Sequence, residues 1–203
     1  MKDSFKTIKT PIQAEIKIQR SKFIASAFPC KSQEEAEAEI EKISGEFHDA
    51  NHNCYGYRIY PSKGMDIFRY SDAGEPSGTA GKPIYDSLIS SELFNTGIVV
   101  TRYFGGIKLG TGGLKRAYRD AARNVLDAAK IVEVLITQKY KVSFPLNLTN
   151  IILRILTVDG IKIVDSSYTD KGEIEFMVRL SMTEKTEKAL ISATNARIEL
   201  TKL

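Results

Sequence analysis

Cysteine is nearly absent: Cys30 and Cys54 are the only two in 203 residues. Two isolated thiols exclude a disulfide framework and point to a reducing cytoplasm. Charge of one sign is also scarce. Residues 1–137 carry 19 Lys/Arg against 17 Asp/Glu, and residues 138–203 carry 10 against 8, so each part is only +2. That excludes a global basic field gripping nucleic acid, and any such role must rest on a local patch. No apolar run approaches the roughly 18 residues of a membrane span. The N-terminus, Met1-Lys-Asp-Ser-Phe-Lys6, lacks the apolar stretch of a signal peptide, so no membrane partner is expected. The apolar share, 42%, is that of a soluble chain able to bury one or two cores.

The hydrophobic pattern reads as mixed α+β. Ile16 and Ile18 alternate with Glu15 and Lys17, and Lys22–Phe28 continues in kind, which predicts a hairpin turning near Gln19–Ser21. Ser32-Gln-Glu-Glu35 is a capping box opening a helix that stops at Gly45, with Ala36, Ile40 and Ile43 inward. Tyr55, Tyr57 and Ile59 share one side of a strand over 53–60; Gly64 marks a turn, and residues 66–71 return as a strand. Pro83 suits the first turn of a helix carrying Ile84 and Leu88. A buried strand over 98–103 follows, then a loop over 105–113. The next helix runs over 114–129, with Leu114, Ala117, Ala121, Val125 and Ala128 inward. Strand signal over 131–144 is long enough for two strands. It sets a domain boundary near Thr137–Gln138, giving domains 1–137 and 138–203. The second reads β-α-β-β-α-β, the ferredoxin-like order, with Thr183 capping its last helix.

Most of the 14 glycines fall between Gly74 and Gly113. Glycine costs backbone entropy, so clustering implies positive φ or close approach of a backbone or ligand. The second cluster, Gly105-Gly-Ile-Lys-Leu-Gly-Thr-Gly-Gly113, ends at a helix start, where unpaired amides and the helix dipole favour anions. Lys115, Arg119 and Arg123 recur at i, i+4, i+8 along that helix, Arg116 is adjacent, and Lys108 lies in the loop. Together with Arg102, Tyr103 and the glycines Gly110, Gly112 and Gly113, they form a candidate anion or nucleic-acid surface. Known phosphate motifs do not fit: Gly81-Lys82 lacks the Walker spacing, and Lys115 stands where a dinucleotide fingerprint needs its third glycine. Ser77 lacks the flanking glycines of a nucleophile elbow, having Glu75 and Thr79 there. Glu75, Ser77 and Lys82 form an alternative ligand loop. Both histidines, His48 and His52, lie near Cys54, but the stretch leads into a strand, and a hydrogen-bonded loop is favoured over a metal site. No cofactor or metal is expected.

Three stretches carry a family resemblance: His48-Asp-Ala-Asn-His-Asn-Cys-Tyr-Gly-Tyr-Arg58, Tyr70-Ser-Asp-Ala-Gly-Glu-Pro-Ser-Gly-Thr-Ala-Gly-Lys-Pro83 and Val100-Thr-Arg-Tyr-Phe-Gly-Gly-Ile-Lys-Leu-Gly-Thr-Gly-Gly-Leu114. They closely resemble the signature of the IMPACT family, whose bacterial members are two-domain proteins. The resemblance implies an N-terminal domain similar to domain IV of elongation factor G and a ferredoxin-like C-terminal domain similar to its domain V. It further implies contact with RNA, the ribosome or a translation factor. Eukaryotic relatives regulate translation with help from an additional domain that has no counterpart in these residues. The resemblance supplies no catalytic residues, and no acid–base pair is identifiable from spacing. The expected role is therefore a cytoplasmic, translation-associated binding protein. The alternative is an enzyme acting on a small phosphorylated or acyl substrate at the glycine loops.

Overall fold

Ile98, Val99 and Val100 follow one another with no polar break, which a strand tolerates only if both its faces are covered. The computed structural model, which describes residues 3–61 and 66–203, meets that need with helices on both sides of the sheet. The chain divides into two compact units, residues 5–134 and residues 1–4 with 135–203. In the larger unit, β1 (Ser4–Ile8) pairs with β7 (Ile131–Leu135). The main sheet is antiparallel, with strands β2 (Ile12–Ile18), β3 (Ser21–Pro29), β6 (Thr96–Tyr103), β4 (His52–Ile59) and β5 (Ile67–Ser71) in that spatial order. Helices α2 (Gly81–Ser90) and α3 (Gly110–Asp127) bury Ile84, Leu88, Leu114 and Ala121 against Phe23, Cys54, Ile98 and Val100. Helix α1 (Gln33–Glu46) covers the other face, its Ala36, Ile40 and Ile43 meeting Tyr57, Ile59 and Val99. Adjacent residues of β6 thus feed two different cores.

The β2–β3 turn is a two-residue one, Gln19 and Arg20, both at positive φ (44° and 68°). That is the geometry whose twist suits a hairpin. The Ser32 hydroxyl accepts the Glu35 amide at 3.2 Å, and the Glu35 carboxylate reaches back to the Lys31 amide at 2.7 Å.

The smaller unit runs β8 (Thr137–Phe144), α4 (Thr149–Leu156), β9 (Ile161–Tyr168), β10 (Gly172–Arg179), α5 (Thr183–Ala193) and β11 (Glu199–Lys202). Its antiparallel sheet has the order β11-β8-β10-β9. Alternate residues Tyr140, Val142 and Phe144 of β8, and Ile174, Phe176 and Val178 of β10, meet Ile152, Leu156 and Leu190 of its helices. Only Ile136 separates β7 from β8. Its amide donates to the Asp3 carbonyl, and its carbonyl accepts the Leu180 amide.

Several boundaries differ from the sequence reading. Helix α1 continues through Gly45, where an added Cβ would meet nothing within 4 Å. Helix α3 starts at Gly110, so the last glycines of the expected 105–113 loop form its first turn. Ala128 is exposed, and Tyr118, Ala122 and Leu126 join the buried stripe instead. Thr183 does not cap α5; Met182 holds that position, and the Thr183 hydroxyl donates to the Leu180 carbonyl. Strand β1 was not foreseen. The turn expected at Gly64 lies outside the described residues.

Candidate functional site

Asp72 shapes the first glycine-rich loop. One carboxylate oxygen, Oδ1, accepts the amides of Ala80 and Gly81 at 2.8 and 2.9 Å, and Oδ2 accepts that of Gly78 at 2.8 Å. Burial alone would raise this carboxyl, but these amides outweigh it and hold Asp72 below the ordinary carboxylate value. A group depressed on folding stabilises fully above its unfolded value and loses that contribution as pH falls through the folded value. Asp72→Asn is therefore expected to cost about 2 kcal/mol or more at neutral pH. The gap from wild type should close below about pH 4, checked by urea unfolding across that range. A gap independent of pH would show that the charge is not what organises the loop.

With the loop fixed, Glu75 points inward. Its Oε1 accepts Arg102 Nη1 at 2.5 Å and the Tyr118 hydroxyl at 2.8 Å. The His52 Nε2 stands 4.0 Å away. Because His52 Nδ1 lies 2.9 Å from the Ala73 carbonyl, which can only accept, Nδ1 carries the proton. The Cys54 Sγ sits 2.9 Å from the Asp72 carbonyl and 3.4 Å from the Tyr118 oxygen. Burial pushes the Cys54 thiol up to about 12 and the Tyr118 phenol well above its ordinary value, so both stay protonated. The result is a buried ion pair whose carboxylate oxygen also accepts one neutral donor, the Tyr118 hydroxyl. Glu75 and Arg102 are only 8% and 5% exposed.

Arg102 keeps donors in reserve. Its Nη1 bond to Glu75 is the one hydrogen bond its side chain makes among the described residues, and its Nε is buried without a partner. Beside it opens a cavity of about 470 Å³, lined by Arg102, Glu75, His52, Phe104, Lys108 and the start of α3 at Gly110, Thr111 and Leu114. Gly110 takes φ +68° to begin that helix, and Leu109, which precedes it, offers no side-chain cap. The first amides of the helix are thus left without intrahelical partners.

The sequence-predicted residues separate into three groups. Lys108, Lys115, Arg116, Arg119 and Arg123 are all exposed, together with Gly110 and Gly112 at the head of the same helix; Gly113 is half-buried. Among the described residues, only Arg119 of this set has a carboxylate within 4.0 Å, Asp120 at 3.8 Å. Arg102 does not belong to that surface: it is buried against Glu75, because an inward carboxylate needs a counter-charge. Tyr103 is half-buried and its hydroxyl donates to Asp49 at 2.7 Å, whereas Phe104 is 44% exposed. The alternative loop does not assemble. Glu75 faces the cavity, Ser77 is exposed outside it, and Lys82 pairs with Asp86 one helical turn on, at 2.7 Å. His48, His52 and Cys54 each bond a different backbone carbonyl, those of Gly45, Ala73 and Asp72. Among the described residues no group of three or more His, Cys, Asp or Glu is placed to hold a metal ion. Sequence reasoning missed Tyr118 and Asp72. A tyrosine on the inner stripe of α3 signals a buried hydroxyl in want of a partner.

Comparison with known proteins covers the stretches that supply these residues. Residues 19–126, just over half of the chain, match the Impact N-terminal domain. The chain belongs to the IMPACT family. IMPACT family member YvyE of Bacillus subtilis is 42% identical over 66% of this chain, and YigZ of Escherichia coli is 37% identical over 57%. The matched segments span 60% and 57% of those relatives' own lengths. A crystal structure of a hypothetical protein covers 100% of this chain and 98% of its own, with a TM-score of 0.73 and 26% identity. The two-domain translational regulator Yih1 overlaps 64% of this chain and 48% of its own, with a TM-score of 0.38 and 24% identity; that distance says nothing of this chain's partners. Among the described residues no helix is long and apolar enough to cross a membrane.

Proposed function

We propose that this IMPACT family member is a cytoplasmic, translation-associated protein that binds RNA, alone or on the ribosome, through the exposed basic face of α3. The observation that carries this reading is the set of four exposed cations, Lys115, Arg116, Arg119 and Arg123, on a helix whose uncapped start adjoins Lys108. Phosphates spaced along a strand match such a row of point charges. The strand order of the smaller unit supports its kinship with the ferredoxin-like domain V of elongation factor G. Exposed Phe104 offers a face on which a base can stack.

Changing Lys115, Arg119 and Arg123 together to Ala tests the reading. All three are solvent-exposed, so stability should move by only about a few tenths of a kcal/mol per site. Binding of a single-stranded RNA should weaken, and the slope of log K against log salt should flatten by up to about 0.7 for each phosphate left without its cation. Phe104→Ala should cost affinity and leave the slope unchanged. Equal binding by wild type and the triple variant sinks the proposal, as does no binding by wild type at low salt. The enzyme reading, on a small phosphorylated or acyl substrate, draws on the cavity beside Glu75. That carboxylate, however, already faces Arg102 and Tyr118.

A further inference from the structure

We propose that the cavity at the head of α3 is a site for a phosphate monoester, the terminal phosphate of a nucleotide. Three observations converge on it. The helix start presents amides with no side-chain cap. Arg102, 95% withdrawn from solvent, lines the same cavity and makes a single hydrogen bond with its five N–H groups. A buried guanidinium with donors left over is costly unless a ligand completes it. Lys108 and Thr111 add a cation and a hydroxyl at the rim, both exposed.

The charge balance favours an anion. Glu75 is the one carboxylate among the lining residues, and it faces Arg102; Lys108 and the positive end of the helix remain. A planar carboxylate would engage Arg102 alone, whereas the oxygens of a phosphate can meet the guanidinium, the amides and Lys108 from different sides. About 470 Å³ is more than a phosphate fills and lies within the range of small-ligand sites, so a sugar can follow it. Phe104 lines the same cavity with an exposed ring, where the base of that nucleotide stacks. The same chemistry is offered by the 5′ end of an RNA strand and by a free mononucleotide. That the phosphate heads a strand running on along α3 rests on the RNA reading above; the cavity site itself does not.

The test compares three probes on the full chain: a ten-nucleotide RNA with a 5′-phosphate, the same RNA with a 5′-hydroxyl, and adenosine 5′-monophosphate. Wild type should prefer the phosphorylated RNA by about tenfold, the scale of a charge-assisted contact set. Lys108→Ala, at an exposed position that leaves the fold intact, should erase most of that preference. The Lys115/Arg119/Arg123 triple variant should weaken both RNAs and keep the preference. If neither RNA binds but adenosine 5′-monophosphate does, and inorganic phosphate displaces it from wild type and less readily from Lys108→Ala, the site stands while the RNA reading falls. If both RNAs bind wild type equally, the RNA reading stands and the cavity is not a phosphate site. No binding of either phosphorylated probe overturns the inference, and so does a preference unchanged in Lys108→Ala.

Discussion

Glu75→Ala should destabilise the protein by about 3–5 kcal/mol, the cost of leaving a buried charge without its counter-ion. Arg102 would keep its place, since the rings of Phe23 and Phe104 lie 5.6 and 5.4 Å from its guanidinium carbon, but none of its donors would have a protein partner. Tyr118 would lose its acceptor in the same step, and the Cys54–Tyr118 contact would be left to hold the phenol. Chemical unfolding of wild type and Glu75→Ala at neutral pH measures the loss. Glu75→Gln keeps the shape and removes only the charge, so it should recover a part of the stability and not all of it. A loss below about 1 kcal/mol for Glu75→Ala would mean that water reaches Arg102 freely, against its observed burial.

Gly105→Ala should be nearly as damaging. A Cβ there would stand 2.1 Å from the carbonyl carbon of Arg20 and 2.5 Å from the amide nitrogen of Ser21. Both are backbone, and the turn they belong to already holds Gln19 and Arg20 at positive φ, so it has no easy way to yield. Overpacking of this kind costs about 1–3 kcal/mol or more, and the 3.2 Å bond from the Gly105 amide to the Ser21 hydroxyl would go with it. Gly112→Ala is the contrast. Its Cβ would meet nothing closer than the Arg116 guanidinium at 4.0 Å, so relief of glycine's entropy should stabilise α3 by about 0.5–1 kcal/mol. Thermal melts of the two variants beside wild type should therefore move in opposite directions. A Gly105→Ala protein as stable as wild type would show that the hairpin tip does not rest on this glycine.

The contrast between these two glycines marks what the sequence could disclose. A cluster of glycines says that something approaches closely; it does not say whether that is the protein's own backbone, as at Gly105, or open space, as at Gly112. Periodicity was a good guide wherever one face alone is buried. Tyr140, Val142 and Phe144 alternate visibly, and the whole β-α-β-β-α-β order could be read from such runs. It was a poor guide to β1, a five-residue strand whose partner lies at the far end of its unit. Charge was legible on α3 because exposure follows the helical period, which set Lys115, Arg119 and Arg123 on one stripe. It was illegible at Arg102, where the deciding neighbour, Glu75, is 27 positions away along the chain and comes close only through a loop pinned by Asp72. The cavity itself needs three separate segments to meet, and no local pattern encodes that.

The pairing of β1 with β7 also sets an order of events during synthesis. A ribosome delivers residues 4–8 first and residues 131–135 more than a hundred codons later, at about 5–20 residues per second. For on the order of ten seconds the first strand is out without β7; until then only the bridge from Lys6 to Leu93 is open to it, once β2 to β6 assemble beside it. Its own sequence, Ser4-Phe-Lys-Thr-Ile8, is suited to that wait: short, broken by a lysine and flanked by polar residues, it offers a poor template for a neighbouring nascent chain.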